Sequence, residues 1–443
     1  MAVSPFDSGL YRDLFHDAEI GKLFTDSAEV RAMLLVEGAL AKVQGKLGVI
    51  PEESAAFIHR ATLEIQIDPT GLAAETGESA VCIPALVKAF RKAMEAPEHA
   101  QYAHWGATSQ DIIDTGLILR LRQALTLMDE RLVRILARLG TLAETHADLP
   151  MAARTWGQVA TPTSFGAVVA SWGQPLLRHR ERLAELRPRL LNVSLAGASG
   201  TLSAMGDKGA AVRADLAAAL GLGDPGESWH STRDTVAELS AWMTAVAGSL
   251  AKMGEDLLLM SQTGIGEIRL GQGGGSSTMP QKQNPVGPGV MVALARQMVG
   301  LNANMQTAAQ HRQQRDGATW LVEWMSLPQI TMALARALDV AESLATTITP
   351  VADRMEAGID DGLGLTYAEA LSFALAAQMP RPDAQAAVKA LCKEAQESQT
   401  PLAQLANREW PGTDWAVLCS PAAQMGDAPQ QAHRFAEAAK AQA

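Results

Sequence analysis

The sequence predicts an all-α protein built around a central bundle of long helices, on three observations. Hydrophobic residues make up 47% of the 443 positions while aromatics make up 5%. A chain rich in Ala, Leu and Met and poor in β-branched and aromatic residues favours helices over strands. Apolar residues also recur at steps of three and four over long stretches, the period of one helix face. Finally, the last ninety or so residues are cut into short pieces by Pro380, Pro382, Pro401, Pro411, Pro421 and Pro429, which reads as a small helical C-terminal domain.

Taken in order, residues 1–106 form an N-terminal domain of shorter helices. One of these starts at about Ser27, with Asp26 as N-cap and Glu29 three residues on, and stops at Gly48 before Pro51. Residues 107–350 form the central domain. There Ile118, Leu121, Leu125, Met128, Leu132, Ile135, Leu139 and Leu142 make one apolar seam. Val236, Leu239, Met243, Val246, Leu250, Met253, Leu257 and Met260 make a second, and Met291, Leu294, Met298, Leu301 and Met305 a shorter third. Such seams follow a neighbouring helix at a shallow angle. A helix from Asp111 to about His146 would be roughly 50 Å long. Helices of that length suggest a bundle continued across subunits. Residues 351–443 form the C-terminal domain.

Lys and Arg number 37 against 48 Asp and Glu, a net charge of −11. A chain this acidic is a poor candidate for nucleic-acid binding, and an anionic substrate would need a local cluster of cations. Cys82, Cys392 and Cys419 lie far apart, with neither zinc-site spacing nor a disulfide framework. The N-terminal MAVSPFDSGL lacks a basic region followed by an apolar run, so no secretory signal is expected. No apolar stretch approaches the ~18 residues that span a bilayer. These features lead us to expect a cytoplasmic protein with no membrane partner.

The most specific segment is Gly273-Gly-Gly-Ser-Ser-Thr-Met-Pro-Gln-Lys-Gln-Asn-Pro285. Its glycines permit a loop able to open and close. Ser276 and Ser277 precede the cation Lys282, and Asn284-Pro285 reads as an N-cap and N1 pair whose helix points its positive end back at the loop. Hydroxyl, ammonium and helix N-terminus together suit a negative charge developing on a substrate. A flexible linker has no reason to place Lys, Asn and Pro in this order, and the Gly-x-x-x-x-Gly-Lys-Ser/Thr phosphate loop does not occur. In His104-Trp-Gly-Ala-Thr-Ser-Gln-Asp111, Thr108 and Asp111 form a capping-box-like start to the first long helix, placing the hydroxyls of Thr108 and Ser109 at a helix N-terminus.

The glycine-rich segment resembles the signature of the fumarase/aspartase superfamily, which includes fumarase, aspartase, argininosuccinate lyase, adenylosuccinate lyase and the bacterial carboxymuconate cycloisomerases. The resemblance covers nearly the whole chain. It implies the three-domain fold of that superfamily and a homotetramer whose sites combine motifs from different subunits. It implies Ser276 as the base that removes a proton α to a carboxylate, with Ser277 beside it and Lys282 and Asn284 binding a carboxylate. The His104–Ser109 segment is similar to the motif whose His and Thr-Ser pair line the substrate site. Around Gln310–Trp324, Arg315, with Arg312 as a second candidate, looks like the arginine turn that meets the substrate. No metal or organic cofactor is implied.

One segment departs from the pattern. Arg154-Thr-Trp-Gly-Gln158 resembles the Thr-His-x-Gln segment of the fumarases and amino-group lyases, which implies that Arg154, Trp156 and Gln158 line the substrate site. Trp156 stands where those relatives carry a His, and Gly289 stands where they carry its Glu partner. A lyase expelling an amine or hydroxide needs an acid for its leaving group. A cycloisomerase makes and breaks a lactone, whose carboxylate leaving group has a conjugate-acid pKa of about 4 and departs unassisted. The departure therefore points to the cycloisomerase branch and a small tricarboxylate substrate. It leaves open a C–N lyase using another acid, such as His104 or His146, and a non-catalytic structural oligomer.

Overall fold

The computed structural model of the chain describes residues 3–271, 273–275 and 278–442. Ser276 and Ser277 lie outside the described residues. The architecture is helical. Its main elements are α1 (Asp26–Lys46), α2 (Ile83–Ala93), α3 (Ser109–Thr145), α4 (Phe165–Leu190), α5 (Asp234–Met260), α6 (Val286–Ala308) and α7 (Gly317–Thr347). Among the described residues, the only sheets are three two-stranded antiparallel pairs.

The seams fall where the periodicity places them. Every seam residue on α5 and α6 is buried, as are those on α3 except the half-buried Leu142. Apart from Leu142, this burial is achieved within one chain, which corrects one expectation. The seams are not too long for a single subunit, so their length is no argument for a bundle spanning several.

Local signals set the element ends. Helix α1 is capped by Thr25, not Asp26, with the Thr25 side chain accepting from Ala28 N at 3.2 Å. Asp26 and Glu29 instead occupy its first turn, where a negative charge favours the helix dipole. The chain leaves the helix through Gly48 at φ 66°. Gly38 and Gly45 share one face of α1 and let the helix Glu52–Glu64 approach closely. A Cβ at Gly38 would stand 2.1 Å from Thr62 Oγ1, and one at Gly45 would stand 2.3 Å from the Ala55 Cβ. Helix α3 begins with half of the predicted capping box, Thr108 N donating to Asp111 Oδ2 at 2.9 Å.

The chain divides into two compact units, each assembled from separated segments. The first comprises Met1–Glu130, His179–Gly248 and Ala293–Ala337, and the second Arg131–Arg178, Ser249–Val292 and Leu338–Ala443. A core of the first unit is made by α1 and α2 residues such as Met33, Leu40, Leu86 and Phe90 with Ile112, Val193 and Leu216. Within the second, prolines stand at helix starts. Pro382 and Pro429 lie in the first turns of Arg381–Ser398 and Ala428–Lys440, and Pro401 caps Leu402–Glu409. Leu375, Val388, Leu391, Leu405 and Trp415 pack together there.

A hairpin of β1 (Pro150–Thr155) and β2 (Gln158–Ser164) was not foreseen. Its two-residue turn is Trp156-Gly157, with φ of 54° and 73°. Positive φ at both central residues matches the twist of paired strands. The two-residue strands β3 (Gly274–Gly275) and β4 (Gln283–Asn284) pair so that Gly274 faces Asn284. A Cβ at Gly274 would stand 2.6 Å from Val286 Cγ2. Glycine is therefore needed at that position for close approach, beyond any freedom it gives the loop.

Candidate active site

In the first unit, α1, α2, α3 and the turn before α7 position a polar cluster. His104 sits at φ 63°, a left-handed conformation uncommon outside glycine. Its loop is pinned on both sides. Arg91 Nη2 donates to the carbonyl of Ala103 at 2.8 Å, and Gln44 Nε2 donates to that of Trp105 at 2.7 Å. His104 Nδ1 meets Glu37 Oε1 at 2.6 Å, and the Glu37 side chain is 2% exposed. Burial pulls the imidazole pKa down, but the charge and hydrogen bond of Glu37, aided by Asp111, outweigh burial and the opposing charge of Arg91. It ends above the ordinary histidine value.

Asp111, fully buried, organises the start of α3. It accepts from the backbone N–H of Thr108, Ala196 and Gly197 at 2.9, 2.8 and 3.0 Å, and its Oδ1 lies 2.8 Å from His230 Nε2. With Nε2 donating to this carboxylate, His230 Nδ1 is free to accept from Arg315 Nη2, 3.4 Å away. Arg315 Nε donates to Gln110 Oε1 at 2.8 Å. The Arg315 guanidinium is thus held from behind through two nitrogens. Arg312, the second candidate there, is exposed and paired with Asp316 at 2.6 Å. Thr108 and Ser109 are half-buried at the helix start.

Beneath this cluster, Arg233 bridges Asp114 (2.7 Å) and Glu323 (2.6 Å), all three buried, and stacks 4.7 Å from the Trp229 ring. Burial alone would raise the pKa of Glu323, but Arg233 outweighs it and holds the carboxyl below its usual range.

In the second unit, Arg154 projects from β1 and forms a bidentate pair with Glu267 at 2.7 and 3.1 Å. Glu267 is 1% exposed, and Arg154 closes over it. Trp156 at the hairpin turn is fully exposed, 101%. Within the chain its indole is not packed against other side chains. Gln158 is exposed beside it. Lys282 is exposed and makes no side-chain hydrogen bond among the described residues; its N–H donates to the Met279 carbonyl at 3.0 Å. Asn284 does not cap the following helix. It lies in β4, and α6 begins at Val286, with Pro285 supplying the carbonyl that accepts from Gly289 N at 3.2 Å.

Sequence reasoning missed Glu37, His230 and Glu267, and read Asp111 only as a cap. The one available signal lay in α3. Gln110, Asp111, Asp114 and Thr115 put polar side chains at i, i+1, i+4 and i+5, a polar face on a helix that is otherwise an apolar seam, and all four are fully buried.

The family model described as Lyase matches residues 16–300. The chain belongs to this lyase family, within the fumarase/aspartase superfamily. Among relatives of the family, the 3-carboxy-cis,cis-muconate cycloisomerase of Pseudomonas aeruginosa is 40% identical over 408 residues, covering 90% of this chain and 88% of the relative. Trans-aconitate decarboxylase 1 of Mycosarcoma maydis is 33% identical, covering 96% of this chain and 87% of the relative. The crystal structure of 3-carboxy-cis,cis-muconate lactonizing enzyme from Pseudomonas putida superposes with a TM-score of 0.92 at 35% identity, covering 98% of this chain and all of the other.

Proposed function

We propose that this chain is a 3-carboxy-cis,cis-muconate cycloisomerase, forming 4-carboxymuconolactone in protocatechuate breakdown, the β-ketoadipate pathway. Four relatives with the cycloisomerase name are 36–40% identical over 88–90% of the chain. The observation that carries the reading is that this likeness coincides with the loss of both halves of the His/Glu relay, at Trp156 and Gly289. One substrate carboxylate adds across a C=C bond, and the electron pair moves onto the carbon α to another carboxylate. Lys282, Asn284 and the N-terminus of α6 hold the resulting charge, and Ser276 delivers a proton to that carbon. In reverse Ser276 is the base. Arg315, Thr108 and Ser109 receive further carboxylate oxygens, and Arg154 acts mainly through Glu267 to fix the hairpin that carries Trp156 and Gln158.

A panel of 3-carboxymuconate, adenylosuccinate, argininosuccinate and fumarate tests this. Turnover of the muconate alone is expected, and release of fumarate from either succinyl substrate would favour a C–N lyase instead.

The reading includes a homotetramer with shared sites. Val299 on α6 and Met325 on α7 support it, each leaving 61% of its surface exposed. Sedimentation of dilute protein should show the tetramer, and an active monomer would remove the shared site. The reading also includes a cytoplasmic location, which three unpaired cysteines suit. Separately, no helix among the described residues is long and apolar enough to cross a membrane.

The relay substitutions give a further expected result. Trp156→His with Gly289→Glu should not raise cycloisomerase turnover in either direction, because a departing carboxylate gains little from an acid. Trp156 is exposed and a Cβ at Gly289 meets open space, so neither change carries a burial cost within the chain. Steady-state kinetics of the singles and the double check this. A faster lactone opening in the double would show that departure needs an acid.

A further inference from the structure

We propose that His104, held in place by the buried Glu37, forms with Lys88 and Arg91 a receptor for one substrate carboxylate, with Glu37 its positioning residue. The identity of the tricarboxylate rests on the cycloisomerase reading; the receptor itself rests on the following geometry.

Lys88, Arg91, His104 and Ser109 line a cavity of about 430 Å³ over Ile83 and Val87, and no acidic residue lines it among the described residues. The cations come from α2, whose residues 88 and 91 lie one turn apart on the same face. Arg91 is fixed by its bond to the Ala103 carbonyl, next to His104. Lys88 pairs with Glu75 at 2.6 Å, but both side chains are largely exposed, 73% and 47%. Such a pair holds its lysine weakly, so the ammonium can turn to a better anion.

Glu37 shows that His104 is more than a loop residue. Its Oε1 takes His104 Nδ1, while its Oε2 is buried with no hydrogen-bond partner. A buried carboxylate with an orphaned oxygen is costly unless a cation answers it, and His104 is the group that does so. The ring's other nitrogen, Nε2, makes no hydrogen bond among the described residues, and the side chain keeps 18% of its surface open. An imidazolium oriented by a carboxylate at Nδ1 presents Nε2–H as a charge-assisted donor. The charged groups around it are Glu37, Asp111, Arg91 and Lys88; burial and Arg91 pull its pKa down, and Glu37 with Asp111 outweighs them. The left-handed backbone at His104 is a local strain of the kind that persists where the surroundings over-determine a functional side chain.

The test uses the full-length enzyme and tricarballylate, a saturated tricarboxylate that cannot lactonize. Its Kd is measured by calorimetry for wild type, Glu37→Gln and Lys88→Gln. The His104 pKa is followed by NMR of the Cε1–H resonance, assigned by its loss in His104→Gln. In Glu37→Gln, the His104 pKa should fall, and the Kd and the KM for 3-carboxymuconate should rise about tenfold, with kcat changed much less. Lys88→Gln, an exposed change that leaves folding intact, should raise the Kd about threefold. A merely structural Glu37 would lower stability and shift the His104 titration without changing the Kd. An unchanged Kd in Glu37→Gln or in Lys88→Gln overturns the receptor. If the wild type binds tricarballylate in this Glu37-dependent way yet turns over no 3-carboxymuconate, the receptor stands and the cycloisomerase reading falls.

Discussion

Ser276→Ala is expected to reduce kcat for 3-carboxymuconate by about 10²–10⁴-fold, the usual contribution of a positioned general acid or base, while leaving the fold intact. The argument comes from the residues on either side of it. Gly275 pairs with Gln283, the neighbour of Lys282, and Gly274 pairs with Asn284. Gly274 is packed against Val286 at the first turn of α6. The sequence thus places a hydroxyl, an ammonium with no side-chain partner among the described residues, and a helix start within one short stretch. In the proposed reaction the serine supplies the proton and the other two hold the charge, so loss of the hydroxyl should act on kcat more than on KM. Ser277→Ala should cost much less. If Ser276→Ala keeps near-wild-type turnover and Ser277→Ala loses it, the two serines exchange roles.

Arg233→Ala is expected to lower stability at pH 7 by about 3–5 kcal/mol, the cost of breaking a buried ion pair from one side. Arg233 is 1% exposed and answers two carboxylates, Asp114 at 0% and Glu323 at 3%. Truncation leaves both charges buried without a cation and removes the guanidinium from the Trp229 ring. The sign of the pH dependence follows from Glu323, whose folded pKa lies below its ordinary value. Its pairing stabilises the fold above the unfolded carboxylate pKa and loses that contribution as pH falls through the folded pKa. The gap between wild type and variant should therefore be widest near neutrality and narrow in acid. Denaturant midpoints from pH 7 down to about pH 3, below the ordinary glutamate pKa, check this, and adding Asp114→Asn and Glu323→Gln to the variant should recover part of the loss. A midpoint unchanged at pH 7 would contradict the assignment.

The long helices were legible because burial repeats at the helix period, as Leu121 to Leu139 and Leu239 to Leu257 show. The β1–β2 hairpin was not, because its turn is Trp156-Gly157 and not a favoured Asn-Gly, and its strands carry little alternation. Element ends were off by about one residue where two residues compete for one role. Thr25 caps in place of Asp26, and the pairing of Asn284 with Gly274 moves the start of α6 past Pro285. The motif residues of the candidate site were legible because they cluster in sequence. Their partners were not, since Glu37 precedes His104 by 67 positions and Glu267 follows Arg154 by 113. A buried carboxylate that answers a distant cation leaves no local spacing to read. The tetramer argument failed for a related reason, since periodicity shows that a face is buried but not what buries it.

The most direct measurement of the central claim is the ultraviolet absorbance of 3-carboxy-cis,cis-muconate on addition of the purified enzyme. The account predicts loss of the conjugated-diene band with proton NMR showing a single lactone, rapid with wild type and slowed about 10²–10⁴-fold with Ser276→Ala. A diene band that persists with wild type, while the same preparation releases fumarate from a succinyl-amine substrate, would contradict it.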